Sequence, residues 1–551
     1  MKEKIVIVGG VAGGATAAAR ARRLNEDADI VIFERGEFIS FANCGLPYYI
    51  GGSIKNRDDL FVTTPELFRE RYNIDIRTST SVLSIDRDNR HVAVTDLKTG
   101  RTYKESYDKL ILSPGAEPVL PTVEGLDLSQ VFTLRTIPDT DRIMAFVETH
   151  TPKSAVIVGG GFIGVEMAEN LTAKGVKTTL VEMLDQIMPQ LDFEMASMLH
   201  EHMWENGVML DLENRVIRIT RHDGKIRLFT ENGYHLDTDM VIWAVGVRPE
   251  NGLAKTAGLE LGVRSGIEVN AAMKTSDPDI FAVGDAVVNR HLITGKEMLL
   301  PLAGPANKQA RIAADNALGR ASLFHGVLGT SIVKVFKKTA AITGLTEKNL
   351  KAENMAYIRS YTFSGSHASY YPGSETMGIK LLFSPGTGKI LGAQIVGGEG
   401  VDKRVDILST AIYAGLTVHD LERLELAYAP PYSAAKDPIN IAGFVASNIL
   451  NGDIDVIHWD KIGGIDQSET TLIDLRTPLE IDMEGTIEGA IHIPIERLRE
   501  KLSELDRKKS YVVFCAIGLR GYLGYRIMSQ KGFNVKSLNG GFEIYKTTLP
   551  V

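Results

Sequence analysis

One arrangement occurs twice in this chain: a short apolar run, a glycine-rich turn, a helix pattern, a second apolar run and an acid. The first copy reads Ile5-Val6-Ile7-Val8, Gly9-Gly10-Val11-Ala12-Gly13-Gly14, an alanine-rich stretch through Leu24, then Ile30-Val31-Ile32-Phe33 ending at Glu34. The second reads Ala155-Val156-Ile157-Val158, Gly159-Gly160-Gly161-Phe162-Ile163-Gly164, a helix pattern to about Lys174, then Thr178 to Glu182. Continuous apolar runs joined by helices are the pattern of parallel strands buried on both faces. Glycine lets backbone approach a pyrophosphate, the helix N-terminus favours its charge, and the acid suits ribose hydroxyls. One such unit is a weak signal. Two, each complete, imply two dinucleotides in one chain, although Val11 replaces the usual second glycine of the first turn.

Two dinucleotides suit a flavin that takes hydride from a nicotinamide. The segment Ile280-Phe281-Ala282-Val283-Gly284-Asp285-Ala286 reads as a strand delivering Asp285 towards a flavin's ribityl chain, or as an ordinary strand end. Gly115 after Leu110-Ile111-Leu112, and Gly246 after Val241-Ile242-Trp243, read as matched crossings out of the two nucleotide domains. Glu182 is followed by Met183-Leu184-Asp185, with no arginine beside it. A carboxylate repels a 2′-phosphate, so NADH is expected over NADPH, with NADPH possible.

The chain has only two cysteines, Cys44 in Ser40-Phe41-Ala42-Asn43-Cys44-Gly45-Leu46-Pro47 and Cys515 after Tyr511-Val512-Val513-Phe514. The bland reading is a pair of inert core residues. Neither has a second cysteine nearby, so an internal dithiol couple is excluded. A reactive Cys44 must form a mixed disulfide, a persulfide or a sulfenic acid. Its place before Gly-Leu-Pro suggests a helix start, where the dipole favours thiolate. The loop from Cys515 to Arg520 offers backbone N–H groups as an anion nest, with Arg520 to hold an anionic donor or close the loop.

A net charge of −8 argues against a nucleic-acid surface, and no apolar stretch of 18 residues offers a membrane span. Unpaired cysteines fit a reducing compartment, so the chain reads as cytoplasmic. No metal site is expected. From about 326 to 450, Gly, Tyr and β-branched residues increase, as in an antiparallel sheet packed with helices. Residues 455–551 carry their own α/β alternation.

Taken together, Gly9 to Gly14, Ser40 to Pro47, Gly284-Asp285-Ala286, Leu302 to Asn307, His367 to Gly373 and Tyr428 to Tyr432 resemble the pyridine nucleotide–disulfide oxidoreductases. Within them the chain resembles the single-cysteine branch that contains coenzyme A-disulfide reductase. Leu472 to Arg476, Gly485 to Pro494 and the Cys515–Arg520 loop are similar to a rhodanese domain. The resemblance implies an α/β protein with an FAD domain at 1–150 and 271–325 and an NAD(P)H domain at 151–270. An α+β dimerisation domain at 326–450 and a rhodanese domain at 455–551 complete it.

The same resemblance implies roles for particular residues. Gly9, Val11, Ala12, Gly13, Gly14, Glu34, Arg35, Asn43, Gly115, Gly284, Asp285 and Ala303 would hold FAD. Gly159, Gly161, Phe162, Ile163, Gly164, Glu182 and Gly246 would hold the nicotinamide nucleotide. Thr16, Arg20, Arg23, Ser40, Asn43, Asn307 and Lys436 match coenzyme A contacts, the arginines meeting its phosphates. Cys44 is the redox centre, Tyr370 and Tyr428 approach it as proton donors, and Cys515 with Arg520 handles sulfane sulfur. Tyr371 and Tyr432 remain alternatives to the two tyrosines. Related reductases are two-fold dimers whose tyrosine loop enters the partner's site. The implied activity is NADH-dependent reduction of coenzyme A disulfide, coenzyme A persulfide or polysulfide. The alternatives are an NADH oxidase or peroxidase cycling Cys44 through sulfenic acid, and a non-enzymatic sulfur carrier or redox sensor.

Overall fold

The computed structural model describes residues 2–549 and divides into two units: Met1–Asp185 with Gly207–Val327, and Gln186–Asn206 with Leu328–Val551. The first unit contains two five-stranded parallel sheets. In one, the order is Ile280–Ala282, Lys109–Leu112, Lys4–Val8, Asp29–Phe33, Asp75–Arg77. In the other it is Met209–Asp211, Lys177–Val181, Ser154–Val158, Met240–Trp243, Val131–Phe132. The apolar runs of the two glycine-turn units are therefore interior strands, covered by helices on one face and by a three-stranded antiparallel sheet on the other: Thr80–Asp86, His91–Asp96 and Thr102–Ser106 for the first, Val216–His222, Lys225–Thr230 and His235–Thr238 for the second.

Alanine explains how the first sheet is covered. Helix Ala12–Leu24 buries Ala15, Ala17, Ala18, Ala19 and Ala21, and helix Ala303–Ala317 buries Ala306, Ala310, Ala313, Ala314 and Ala317. Small side chains let the two helices pack closely against each other and the sheet. Packing cuts across the ranges expected from sequence. Val131–Phe132 pairs with Met240–Trp243 in the second sheet, while Ala254, Leu259 and Ile267 lie in the first sheet's core.

The second unit has a five-stranded antiparallel sheet in the order Ser331–Val335, Lys338–Gly344, Ile390–Gly397, Thr376–Phe383, Ile358–Gly365. Helices Val401–Tyr413 and Pro438–Leu450 pack on it. Helix Phe193–Glu205, lying within the second nucleotide range in sequence, belongs to this unit. A fourth large sheet is parallel, in the order Val456–Ile457, Asn534–Leu538, Ser510–Phe514, Thr470–Asp474, Ile491–His492.

A buried ionic cluster joins these parts of the second unit. The Lys380 ammonium, fully buried, donates to Asp192 and Glu347 at 2.8 Å each and to Glu194. Arg359 pairs with Glu347 at 2.9 Å and with Asp460 of the C-terminal segment. Asn539 accepts from Tyr361 N at 3.2 Å and donates to Arg359 O at 3.1 Å. Among the described residues, Asp192, Glu194 and Glu347 are close enough together to hold a cation, and Lys380 already supplies one.

Candidate active sites

Both glycine turns are built for a bound anion. Gly9 (φ +95°) and Gly159 (φ +108°) require glycine, because a Cβ would lie 2.1 Å from Ser113 O and 2.4 Å from Ala244 O. Gly14 and Gly164 let each helix approach its turn: a Cβ there would meet Gly9 O at 1.7 Å and Gly159 O at 1.9 Å. Neither helix has a side-chain cap or an acid in its first turn. The first N–H groups of both helices therefore suit a phosphate. A Cβ on Gly161, the N-cap of the second helix, would meet nothing within 4 Å, which leaves room for a pyrophosphate. Val11 is the N-cap in the first copy, followed by Ala12 and Gly13 in the first turn.

The two acids behave alike. Glu34 accepts from Gly10 N and Gly36 N at 2.7 Å each, and Glu182 accepts from Gly160 N at 2.6 Å and Leu184 N at 3.0 Å. Phe162 and Ile163 open the second helix half-buried, and Gly246 (φ +105°) leaves its strand with open space beside it. Gly284 N donates to Gln309 Oε1 at 2.9 Å, and Ala303 begins the helix that carries Gln309. Burial raises the Asp285 carboxyl against the pull of Arg135, whose Nη2 lies 3.4 Å away. Gly115 (φ +77°) faces the same guanidinium. Arg35 pairs with Glu250 at 2.9 Å on an exposed surface. These residues fit two dinucleotides.

Cys44 is exposed and lies in the 3₁₀ turn Asn43–Gly45, which runs into helix Leu46–Gly51. The helix start expected from sequence is present, but a lowered thiol pKa is not. Desolvation, Glu166 and Asp285 push the Cys44 thiol up and outweigh Arg135. Helix Leu46–Gly51 packs on helix Phe162–Ala173, so Tyr48 donates its phenol proton to Glu166 at 3.1 Å. Burial raises the Glu166 carboxyl to about 7, with Glu169 adding to the effect and Tyr48 opposing it. Tyr48, Glu166 and Arg135 escaped the sequence reading because no motif marks them. Tyr48 and Glu166 become visible only when the two helices meet, and Arg135 only when the segment before helix Ile137–His150 reaches Asp285.

Several residues assigned to coenzyme A lie on adjoining helices of the first unit. Thr16 Oγ1 donates to Asn307 at 2.6 Å. Arg20 pairs with Asp315 at 2.7 Å, so its charge is already matched and Arg23 is the exposed cation of that pair. Asp315 sits on helix Ala303–Ala317, out of view of local sequence, and engages Arg20 through its Nε. Ser40 adopts left-handed backbone (φ +47°) and donates its N–H to Gly10 O at 3.0 Å. A non-glycine residue held there is strained, a feature that clusters at functional sites. Asn43 Nδ2 donates to Arg135 O at 3.2 Å. Lys436 belongs to the second unit and is exposed.

In the second unit the hydroxyls of Tyr370 and Tyr428 lie 2.7 Å apart, which pushes the Tyr370 phenol up. Both rings are exposed, at 73% and 48%, as are Tyr371 and Tyr432. Buried Arg404 holds the two tyrosine loops together. Its Nη2 donates to Ser366 O at 2.9 Å, Ser433 Oγ at 3.1 Å and Asp437 Oδ2 at 2.9 Å.

Cys515 is 1% exposed at the end of strand Ser510–Phe514. Gly518 N and Gly521 N donate to its sulfur at 3.2 and 3.4 Å, forming the expected nest. Gly541 backs the loop, where a Cβ would meet Cys515 O and Ala516 O at 2.5 Å. Arg520 forms a bidentate pair with Glu480, which the sequence reading did not include. The capping pattern Thr477-Pro478-Leu479-Glu480 was the available signal.

The family model for pyridine nucleotide-disulphide oxidoreductases matches residues 3–310, its dimerisation domain matches 330–438, and a rhodanese-like domain matches 462–548. This chain belongs to the pyridine nucleotide-disulphide oxidoreductases, flavin-dependent enzymes that use FAD and NAD(P)H, and it carries a rhodanese-like domain as well. Coenzyme A disulfide reductase of Staphylococcus haemolyticus is 36% identical over 448 residues, covering 81% of this chain and all of the relative. An NADH oxidase of Methanocaldococcus jannaschii is 37% identical, covering 80% of this chain and 97% of that one. Reduced CoADR-RHD of Bacillus anthracis is similar over 100% of this chain and 99% of its own, at 48% identity and a TM-score of 0.97. An NAD-dependent persulfide reductase of A. fulgidus is similar over 98% and 100%, at 38% identity and a TM-score of 0.92.

Proposed function

We propose that this enzyme uses NADH to reduce coenzyme A disulfide, coenzyme A persulfide or polysulfide at Cys44, and that Cys515 handles sulfane sulfur. The observation that carries this is a single exposed cysteine beside two dinucleotide sites, in a chain whose only other cysteine sits in an anion nest. The likeness to a coenzyme A disulfide reductase and a persulfide reductase supports the same substrates. Among the described residues, no helix is long and apolar enough to cross a membrane. Two unpaired thiols suit a reducing, cytoplasmic setting.

The glycine turns and Glu34 and Glu182 position the two nucleotides, and Glu182 disfavours a 2′-phosphate. FAD, when bound, supplies the two-electron relay from nicotinamide to sulfur held on Cys44. The Cys44 thiolate attacks the outer sulfur of the substrate, the substrate S–S bond breaks, and a thiolate leaves with the electron pair. The phenol of Tyr428 or Tyr370 gives that thiolate a proton. Thr16, Arg20, Arg23, Ser40, Asn43 and Asn307 line the approach for coenzyme A. The dimerisation domain builds a two-fold dimer in which the partner presents its Tyr428 and Lys436 to this site.

Steady-state NADH consumption tests the reading. Coenzyme A persulfide or disulfide should accelerate it strongly in wild type and not in Cys44→Ser. If NADH bleaches the flavin but neither substrate accelerates turnover, the reading fails. The likeness to an NADH oxidase favours a second reading, sulfenic acid chemistry at Cys44. Oxygen consumption much faster than persulfide turnover would select it.

A further inference from the structure

Arg520 is the only cation in the loop from Cys515 to Arg520, and its charge is already matched. Its Nη1 donates to Glu480 Oε2 at 2.7 Å and its Nη2 to Glu480 Oε1 at 2.5 Å. Glu480 is itself fixed, accepting from Thr477 N and Thr477 Oγ1 at 2.8 Å each as the third residue of helix Pro478–Glu484. The rest of the loop is Ala516, Ile517, Gly518 and Leu519, and Ile517 and Leu519 are 42% and 66% exposed. A second carboxylate belongs to Glu543, whose backbone N–H donates to Ala516 O at 2.9 Å.

Two kinds of sulfane donor place different demands on such a loop. Thiosulfate is a dianion, and transfer of its outer sulfur expels sulfite with two negative charges, which calls for unpaired cations. An organic persulfide expels one thiolate, and its carbon arm gains by covering apolar side chains.

We propose that the Cys515 loop selects organic persulfides over oxyanion donors such as thiosulfate, and that Glu480 sets this choice by neutralising Arg520. The proposal rests on the reading of Cys515 as a sulfur acceptor. In the step itself the Cys515 thiolate attacks the outer sulfur of R–S–SH. The donor S–S bond breaks as the Cys515 S–S bond forms, R–S⁻ leaves with the electron pair, and the proton stays on the transferred sulfur. Nothing is oxidised or reduced overall, so no further reactant is needed.

The test uses the full-length enzyme with FAD bound, without NADH, in a Cys44→Ser background so that added sulfur reports on Cys515 alone. Initial rates of persulfide formation are read by mass spectrometry with thiosulfate and with coenzyme A persulfide. Wild-type Glu480 should favour the persulfide. Glu480→Gln keeps an acceptor for the cap and frees Arg520, and should raise the thiosulfate-to-persulfide rate ratio roughly tenfold. Leu519→Lys adds a cation at an exposed position and should move the ratio the same way, which covers the case of a misfolded Glu480 variant. Equal loading from both donors in wild type, or an unchanged ratio in both variants, overturns the inference. Loading from neither donor would instead sink the reading of Cys515 as an acceptor, and this inference with it.

Discussion

At the scale of single residues, the environment of Cys44 is a balance of opposing charges. Desolvation by the surrounding protein, Glu166 and Asp285 oppose ionisation of the thiol, and Arg135 favours it. Glu166→Gln should therefore lower the apparent thiol pKa and speed iodoacetamide alkylation of Cys44 at neutral pH, while Arg135→Met should slow it. Glu166 also links stability to pH. Its carboxyl is raised to about 7, mainly by burial. Well below the ordinary carboxylate range both folded and unfolded chains are protonated, and the site costs nothing. Between that range and about 7 the unfolded chain ionises first, so folded stability falls as pH rises. Above about 7 the full cost is present, roughly 3 kcal/mol. Thermal unfolding should show Glu166→Gln gaining on wild type as pH rises from about 5 to about 8. Cys44→Ser should retain FAD and its reduction by NADH, yet lose persulfide turnover by on the order of 10³-fold or more, since serine forms no sulfur adduct.

At the scale of elements, the paired strand–turn–helix units were legible because three local signals coincide: strand period, glycine placement and the acid at the next strand's end. The antiparallel sheet and the Cys515 loop were legible from composition and spacing. Helix Phe193–Glu205 was not, because its membership of the second unit depends on Asp192 and Glu194 meeting Lys380, nearly two hundred positions away. The Arg20–Asp315 and Arg520–Glu480 pairs were hidden for the same reason. Each joins two helices that sequence alone does not bring together. The Lys380 cluster carries its own prediction. Lys380→Met would leave Asp192, Glu194 and Glu347 without their shared ammonium and should destabilise the second unit by about 3–5 kcal/mol, read by chemical denaturation. Combining it with Asp192→Asn should recover part of that loss.

At the scale of the whole molecule, the proposed enzyme has two sulfur sites with separate duties. Cys515→Ser should abolish sulfur loading at the rhodanese-like domain while sparing reduction of small coenzyme A substrates. Equal loss of both activities would make Cys515 part of an obligatory relay. The dimer proposal predicts complementation. A Cys44→Ser chain mixed with a Tyr428→Phe chain should regain activity, because one of the two shared sites would carry both substitutions and the other neither. No recovery after verified subunit exchange would place Tyr428 beside its own chain's cysteine. Electrons from NADH leave this enzyme through sulfur bound to Cys44, a route that peptide mass spectrometry can follow. The oxidised enzyme is mixed anaerobically with one equivalent of coenzyme A persulfide, trapped, and compared with a sample then given NADH. Cys44 should carry a sulfur or coenzyme A adduct that NADH removes. An unmodified Cys44 in the trapped sample, with NADH still consumed at the same rate, would contradict this route.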